Sequence, residues 1–105
     1  MPFVNACAAS EVVPEKGKAV EINGAKIALF RIDGKLLAID DKCTHDEASL
    51  AEGGVAVMDG KCIVECPWHG ATFDLCTGKA LTFPAVTPVK TYAVREQGGR
   101  IEVEI

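Results

Sequence analysis

The chain has no apolar run long enough to cross a bilayer. Nowhere do about 18 consecutive apolar residues occur, which excludes a transmembrane helix. The opening stretch MPFVNACAASEVVPEKGK carries no leading positive charge and no apolar core followed by a cleavage site. A secretory signal is therefore not expected, and the protein reads as cytoplasmic. Positive charge is also scarce: 11 Lys and Arg stand against 15 Asp and Glu, for a net charge of −4. Nucleic acid, whose phosphates such a chain repels, is not an expected partner, although a basic patch on another protein is. Helical periodicity is missing, since no window repeats apolar residues at i, i+3, i+4 and i+7 over three turns. No Ser-His-Asp set, phosphate-binding loop or pair of catalytic carboxylates is visible, so the common hydrolytic and phosphoryl-transfer chemistries have no residues to perform them.

What is present is turn chemistry at short intervals. Asn23-Gly24, Asp33-Gly34, Gly53-Gly54, Asp59-Gly60 and Gly98-Gly99 punctuate short runs rich in Val, Ile, Leu and Phe: KAVEI, KIALFRI, KLLAID, KCIVE, TYAVRE and RIEVEI. Two-residue Asn-Gly or Asp-Gly turns between such runs are strong hairpin signals, because both central positions need a backbone that Gly, Asn and Asp tolerate. The expected fold class is all-β, a sandwich or barrel-like arrangement of antiparallel sheets, with at most a short helical turn in HDEASLAEG. A length of 105 residues, 49% of them hydrophobic and 25% charged, suits one domain over 1–105 with a modest core.

Five cysteines, Cys7, Cys43, Cys62, Cys66 and Cys76, make an odd count in a chain with no secretion signal, which fits poorly with a disulfide framework. The two histidines, His45 and His69, each follow a cysteine closely, as CTH at Cys43–His45 and CPWH at Cys66–His69. Both pairs fall between expected strands, where a β scaffold can hold them side by side. Three readings compete for this donor set. The bland one makes each Cys a small buried hydrophobe and each His a surface residue. A second is a closed tetrahedral Cys₂His₂ zinc site, although the Cys-His, Cys-His order differs from the usual C-x₂₋₄-C followed by a His pair. The third is a [2Fe–2S] cluster. No two cysteines are spaced C-x₂-C, so an all-cysteine plant-type cluster is unsupported.

With those motifs in view, residues 43–79 resemble the cluster-binding part of a Rieske protein, in which one loop reads C-x-H and a second C-x-x-H-G. The phrases HGATFDLCTGKAL and FPAVTPVKTYAV are similar to the soluble Rieske ferredoxins that serve aromatic-ring dioxygenases. The resemblance implies a Rieske-like fold in which a small cluster-binding part, about 41–79, is inserted in a β-sandwich or barrel-like base. It implies one Rieske [2Fe–2S] cluster, with Cys43 and Cys66 on the inner iron and His45 and His69 on the outer one. Both rings would bind through Nδ1 and leave Nε2 near the surface. Pro84 matches the family's proline loop. Trp68 is expected to pack beside and shield the cluster, while Cys7, Cys62 and Cys76 are expected to be core or surface thiols. Asp46, Glu47 and Glu65 flank the ligands as a rim that could guide a basic partner. One departure stands out: 20 residues, Asp46 to Glu65, separate the motifs, a few more than the family usually has, which lengthens the hairpin around GGVAVMDGK.

Histidine ligation changes the electron that such a centre carries. Two ferric ions, two sulfides and two thiolates sum to about zero charge, against about −2 for four thiolates, so reduction is easier: roughly −150 to +300 mV against about −400 mV. Where high-potential members of the family place Ser and Tyr to donate to the cluster sulfurs, this chain has Ala71 and Phe73. Where they tie the loops with a disulfide, it has Ala48 and Trp68. A low-potential centre is expected, with a potential that falls at alkaline pH because reduction raises the basicity of the bound rings. The resemblance implies a monomeric carrier with no catalytic site of its own, which passes single electrons from an NAD(P)H-dependent flavin reductase to a terminal dioxygenase. The alternatives are the small subunit of an assimilatory nitrite reductase, which shares the fold, and a zinc-stapled interaction module.

Overall fold

The computed structural model describes residues 2–42, 48–68, 70–82 and 87–105. Its ten strands are β1 (Phe3–Ala8), β2 (Lys18–Ile22), β3 (Ala25–Ile32), β4 (Lys35–Asp40), β5 (Gly54–Met58), β6 (Lys61–Glu65), β7 (Thr72–Asp74), β8 (Thr91–Tyr92), β9 (Val94–Gln97) and β10 (Arg100–Glu104). Four of the five turn dipeptides close hairpins: β2–β3, β3–β4, β5–β6 and β9–β10. At each, both central residues have positive φ, between 51° and 85°. This is the turn whose twist matches that of the paired strands, and it explains why Asn, Asp and Gly occupy it. Gly53-Gly54 behaves differently. Gly53, at φ −78°, ends a 3₁₀ turn over Leu50–Glu52, and Gly54 opens β5, so the expected helical turn is present where the fifth hairpin turn is not.

The strands form three antiparallel sheets in the orders β1-β10-β9, β2-β3-β4-β8 and β5-β6-β7. The run TYAVRE is divided between two of them. Thr91 and Tyr92 pair with Ile39 and Ala38 of β4, whereas Val94–Gln97 pair with Val103–Arg100 of β10. The break at Ala93 carries the chain from one sheet to the next. β5-β6-β7 lies in sequence between β4 and β8 of the second sheet, which is the insertion that the expected fold requires. β1 had no strand signal of its own. It pairs with β10 across nearly the whole chain length, with a bulge between Asn5 and Cys7.

β3 is the wall between two cores. Ile27 and Leu29 point into one, with Cys7, Val12, Ile22, Ala38, Ile101 and Val103. Ala28, Phe30 and Ile32 point into the other, with Leu50, Cys62, Val64, Cys66, Ala71, Phe73, Leu75 and Val89. A strand buried on both faces reads as a continuous apolar run rather than an alternating one, which accounts for IALF in the middle of β3. β6 shows the one-sided pattern. Cys62 and Val64 are buried while Lys61 and Glu65 are exposed, and Cys66, just beyond the strand, continues the buried face.

Candidate metal centre

Of the four expected ligands, the described residues include only Cys66; Cys43, His45 and His69 lie outside them, as do Asp46, Glu47 and Pro84. The chain on either side of these segments is firmly placed. The first segment leaves from Asp41–Lys42 and returns at Ala48–Ser49. The Asp41 amide donates to the carbonyl of Lys26 on β3 at 2.9 Å. Its carboxylate accepts from the Ser49 hydroxyl, at 2.7 and 2.9 Å to its two oxygens, and from the Ala51 amide at 2.8 Å.

Cys66 ends the buried face of β6, and its thiol is free and buried. Its amide donates to the Ala71 carbonyl at 2.7 Å, and the Gly70 amide donates back to the Cys66 carbonyl at 3.1 Å. These two bonds bring Gly70 and Ala71 back beside Cys66. Gly70 has φ +74°, a backbone that Gly adopts without the penalty of a side chain. Pro67 and Trp68, which follow Cys66, are exposed, Trp68 at 61%. The expectation that Trp68 shields the cluster bears on Cys43, His45 and His69, which lie outside the described residues.

The chain flanking residues 83–86 is held in the same manner. Thr72 of β7 bonds Thr82 side chain to side chain at 2.9 Å, the Thr72 amide donates to the Thr82 hydroxyl at 3.1 Å, and the Leu81 amide donates to the Thr72 carbonyl at 2.8 Å. On the far side the Val89 amide donates to the Gly78 carbonyl at 2.7 Å. Three stretches of chain that contain expected site residues are thus anchored around one core. Ala71 and Phe73 are fully buried in that core beside Cys66, as is Ala48. None of the three offers a hydroxyl or a thiol.

The remaining thiols divide as expected. Cys7 and Cys62 are buried and Cys76 is exposed. Burial pushes the Cys62 thiol up, with the nearby Cys76 adding to the effect, and burial with the Glu11 carboxylate does the same for Cys7. Both therefore stay neutral thiols at neutral pH, a poor state for ligation or nucleophilic attack. Near the first segment, Tyr92 donates its hydroxyl to Asp40 Oδ1. Burial, together with that bond, pushes the phenol up to about 12. Sequence reasoning missed Asp41, Ser49 and Tyr92, because hydrogen bonds between residues far apart in the chain leave no local pattern.

The donor set suits a Rieske cluster: two soft thiolates and two imidazoles on two motifs, one of whose cysteines is buried and unbridged. Among the described residues no group of three or more His, Cys, Asp or Glu gathers to form a rival metal site. Comparison with known proteins agrees. The chain is 43% identical to the 3-phenylpropionate/cinnamic acid dioxygenase ferredoxin subunit of Escherichia coli K12, over 100% of this chain and 95% of that one. It superposes with a TM-score of 0.82 on a chain of a complex of reduced oxygenase and oxidised ferredoxin in carbazole 1,9a-dioxygenase. That likeness is at 34% identity and covers 96% of this chain and 100% of the other. A chain designated the small subunit of an NADH-dependent nitrite reductase from Mycobacterium tuberculosis gives a TM-score of 0.87 at 29% identity, covering 97% and 93%. The Rieske [2Fe-2S] domain model matches residues 3–93. The chain therefore belongs to the Rieske [2Fe–2S] domain family, and its cofactor is one Rieske cluster.

Proposed function

We propose that the chain is the ferredoxin of a ring-hydroxylating dioxygenase system. It takes single electrons from an NAD(P)H-dependent flavin reductase and gives them to the terminal oxygenase. The observation that carries this is the end-to-end likeness to a dioxygenase ferredoxin subunit, together with all four Cys and His of the paired motifs. Cys43 and Cys66 would hold one iron and His45 and His69 the other, and the cluster, when bound, supplies one reversible electron. The chain's own part is to hold it, keep one side dry and present the other. The buried side chains of Phe73, Leu50, Val64 and Ala71 around Cys66 exclude water from one side. A net charge of −4 favours encounter with basic surfaces on both partners. On this reading both histidines serve the cluster, and the protein is a cytoplasmic, monomeric carrier rather than an enzyme.

The test is electron paramagnetic resonance of the reduced protein, followed by reduction with an NADH-dependent flavin reductase of a dioxygenase system. A signal whose average g-value lies below that of all-cysteine clusters, with rapid enzymatic reduction and oxygenase turnover, supports the proposal. A colourless, zinc-containing protein would defeat it. The likeness to a nitrite reductase small subunit keeps a second reading in play. Tight co-purification with a large sirohaem subunit would establish that one instead.

A further inference from the structure

We propose that Asp41 and Gly53 form a brace that fixes the spacing between the two ligand-bearing segments, and so set how tightly the cluster is held. The inference rests on the cluster reading above. Asp41 stands two positions before Cys43, with its amide tied to β3 through the Lys26 carbonyl at 2.9 Å. Its carboxylate gathers the Ser49 hydroxyl at 2.7 and 2.9 Å and the Ala51 amide at 2.8 Å. The chain therefore leaves and re-enters the fold fastened to one side chain. Ser49 sits at the N-terminal end of the Leu50–Glu52 turn, yet its side chain makes no cap bond. Asp41 satisfies a free amide of that turn in its place.

The turn passes the constraint on. The Gly53 amide donates to the Leu50 carbonyl at 3.0 Å, and Gly53 lies so close to β6 that a Cβ there would fall 2.0 Å from the Glu65 carbonyl oxygen. On its other side the turn is backed by Gly17, where a Cβ would fall 2.2 Å from the Ala51 oxygen. Glu65 immediately precedes Cys66. A continuous chain of contacts thus runs from Asp41 through Ser49 and Ala51, along the turn, across Gly53 and into the backbone that carries Cys66. The cluster, when bound, would take one Cys and one His from each segment, so error in the spacing would weaken its hold. Asp41 and Gly53 are positioning residues, since neither supplies a donor atom.

The experiment compares the wild-type holoprotein with Asp41→Ala, Asp41→Asn, Ser49→Ala and Gly53→Ala. Gly54→Ala is the matched control, because nothing lies within 4 Å of its added Cβ. Leu29→Ala, in the other core, supplies a globally destabilised reference. Cluster release into chelator is followed by visible absorbance, the reduced cluster by its resonance line shape, and the apoprotein by its unfolding midpoint. Asp41→Ala and Gly53→Ala should release the cluster about 10- to 100-fold faster and broaden the resonance, as loss of support around ligands does in metal sites. Ser49→Ala and Asp41→Asn should fall between, and Gly54→Ala should match wild type. The brace is overturned if Asp41→Ala or Gly53→Ala keeps the wild-type release rate and line shape. It is equally overturned if their release rates rise only as far as Leu29→Ala does at equal loss of stability. A wild-type protein that takes up no cluster defeats the reading beneath the brace, and the brace with it.

Discussion

Tyr92 is the chain's only tyrosine, and its ionisation can be followed without interference from another phenol. Burial first, and the bond to Asp40 second, favour the neutral phenol in the folded state and push it up to about 12. An unfolded tyrosine ionises near 10, so this contribution is whole below about pH 10 and drains away as pH rises towards about 12. Denaturation series between about pH 9 and about pH 11.5 should show up to about 2 kcal/mol more loss in the wild type than in Tyr92→Phe, the buried thiols Cys7 and Cys62 contributing equally to both. Equal slopes in both proteins would dismiss the effect. Ala71 and Phe73 make the second case at this scale. Both are buried in the core that holds Cys66, and neither has a hydroxyl. A hydroxyl donating to the reduced cluster is worth about 1.5–3 kcal/mol, or roughly 60–130 mV for one electron. Ala71→Ser and Phe73→Tyr should each raise the midpoint potential by up to that amount in protein-film voltammetry. An unchanged or lowered potential in both would remove these positions from the control of the electron.

Single elements differ in how plainly the sequence announces them. The hairpin turns were legible because the demand is local: Asp59 and Gly60, at φ 52° and 76°, occupy a geometry that few other residue pairs accept. β1 was not, since its partner β10 lies at the other end of the chain and FVNACA is only partly alternating. β7 is three residues long and depends on β6 and on the bonds from Thr82 and Leu81. TYAVRE reads as one strand because nothing in its composition marks Ala93 as the crossing between sheets. The cofactor was legible by residue type and spacing, Cys and His being rare and paired. The hydrogen bonds that tie Asp41 to Ser49 and Ala51 were not, since Asp41 and Ser49 look like any polar loop residues until the fold joins them. Gly78 illustrates such a hidden support. It has φ +79°, and a Cβ there would fall 2.0 Å from the Val89 carbonyl oxygen, so the approach to residues 83–86 depends on it. Gly78→Ala should cost at least about 2 kcal/mol in chemical unfolding. A cost near zero would mean that this crossing is slack.

At the scale of the whole molecule, one strand serves two cores, and neighbouring residues on it have different duties. Leu29 lies in the core that holds Ile101 and Val103; Phe30 lies in the core that holds Val64, Phe73 and Cys66. Both are fully buried, so truncation to Ala should cost about 2–5 kcal/mol at Leu29 and about 3–5 kcal/mol at Phe30. These ranges overlap, and global stability alone will not separate the two. The cavities fall in different places, however. The void left by Phe30→Ala opens beside the buried face that carries Cys66, and a packed core passes such a defect to its lining. Leu29→Ala opens its void on the far side of a strand that stays hydrogen-bonded to both neighbours. With the two variants compared at equal unfolding free energy, adjusted by temperature or denaturant, Phe30→Ala should lose its cluster faster and Leu29→Ala should hold it at the rate its stability dictates. Equal release from both would show that the base and the inserted sheet fail as one body. Faster release from Phe30→Ala alone would mean that the cluster reports on its own core, with the base free to vary behind it.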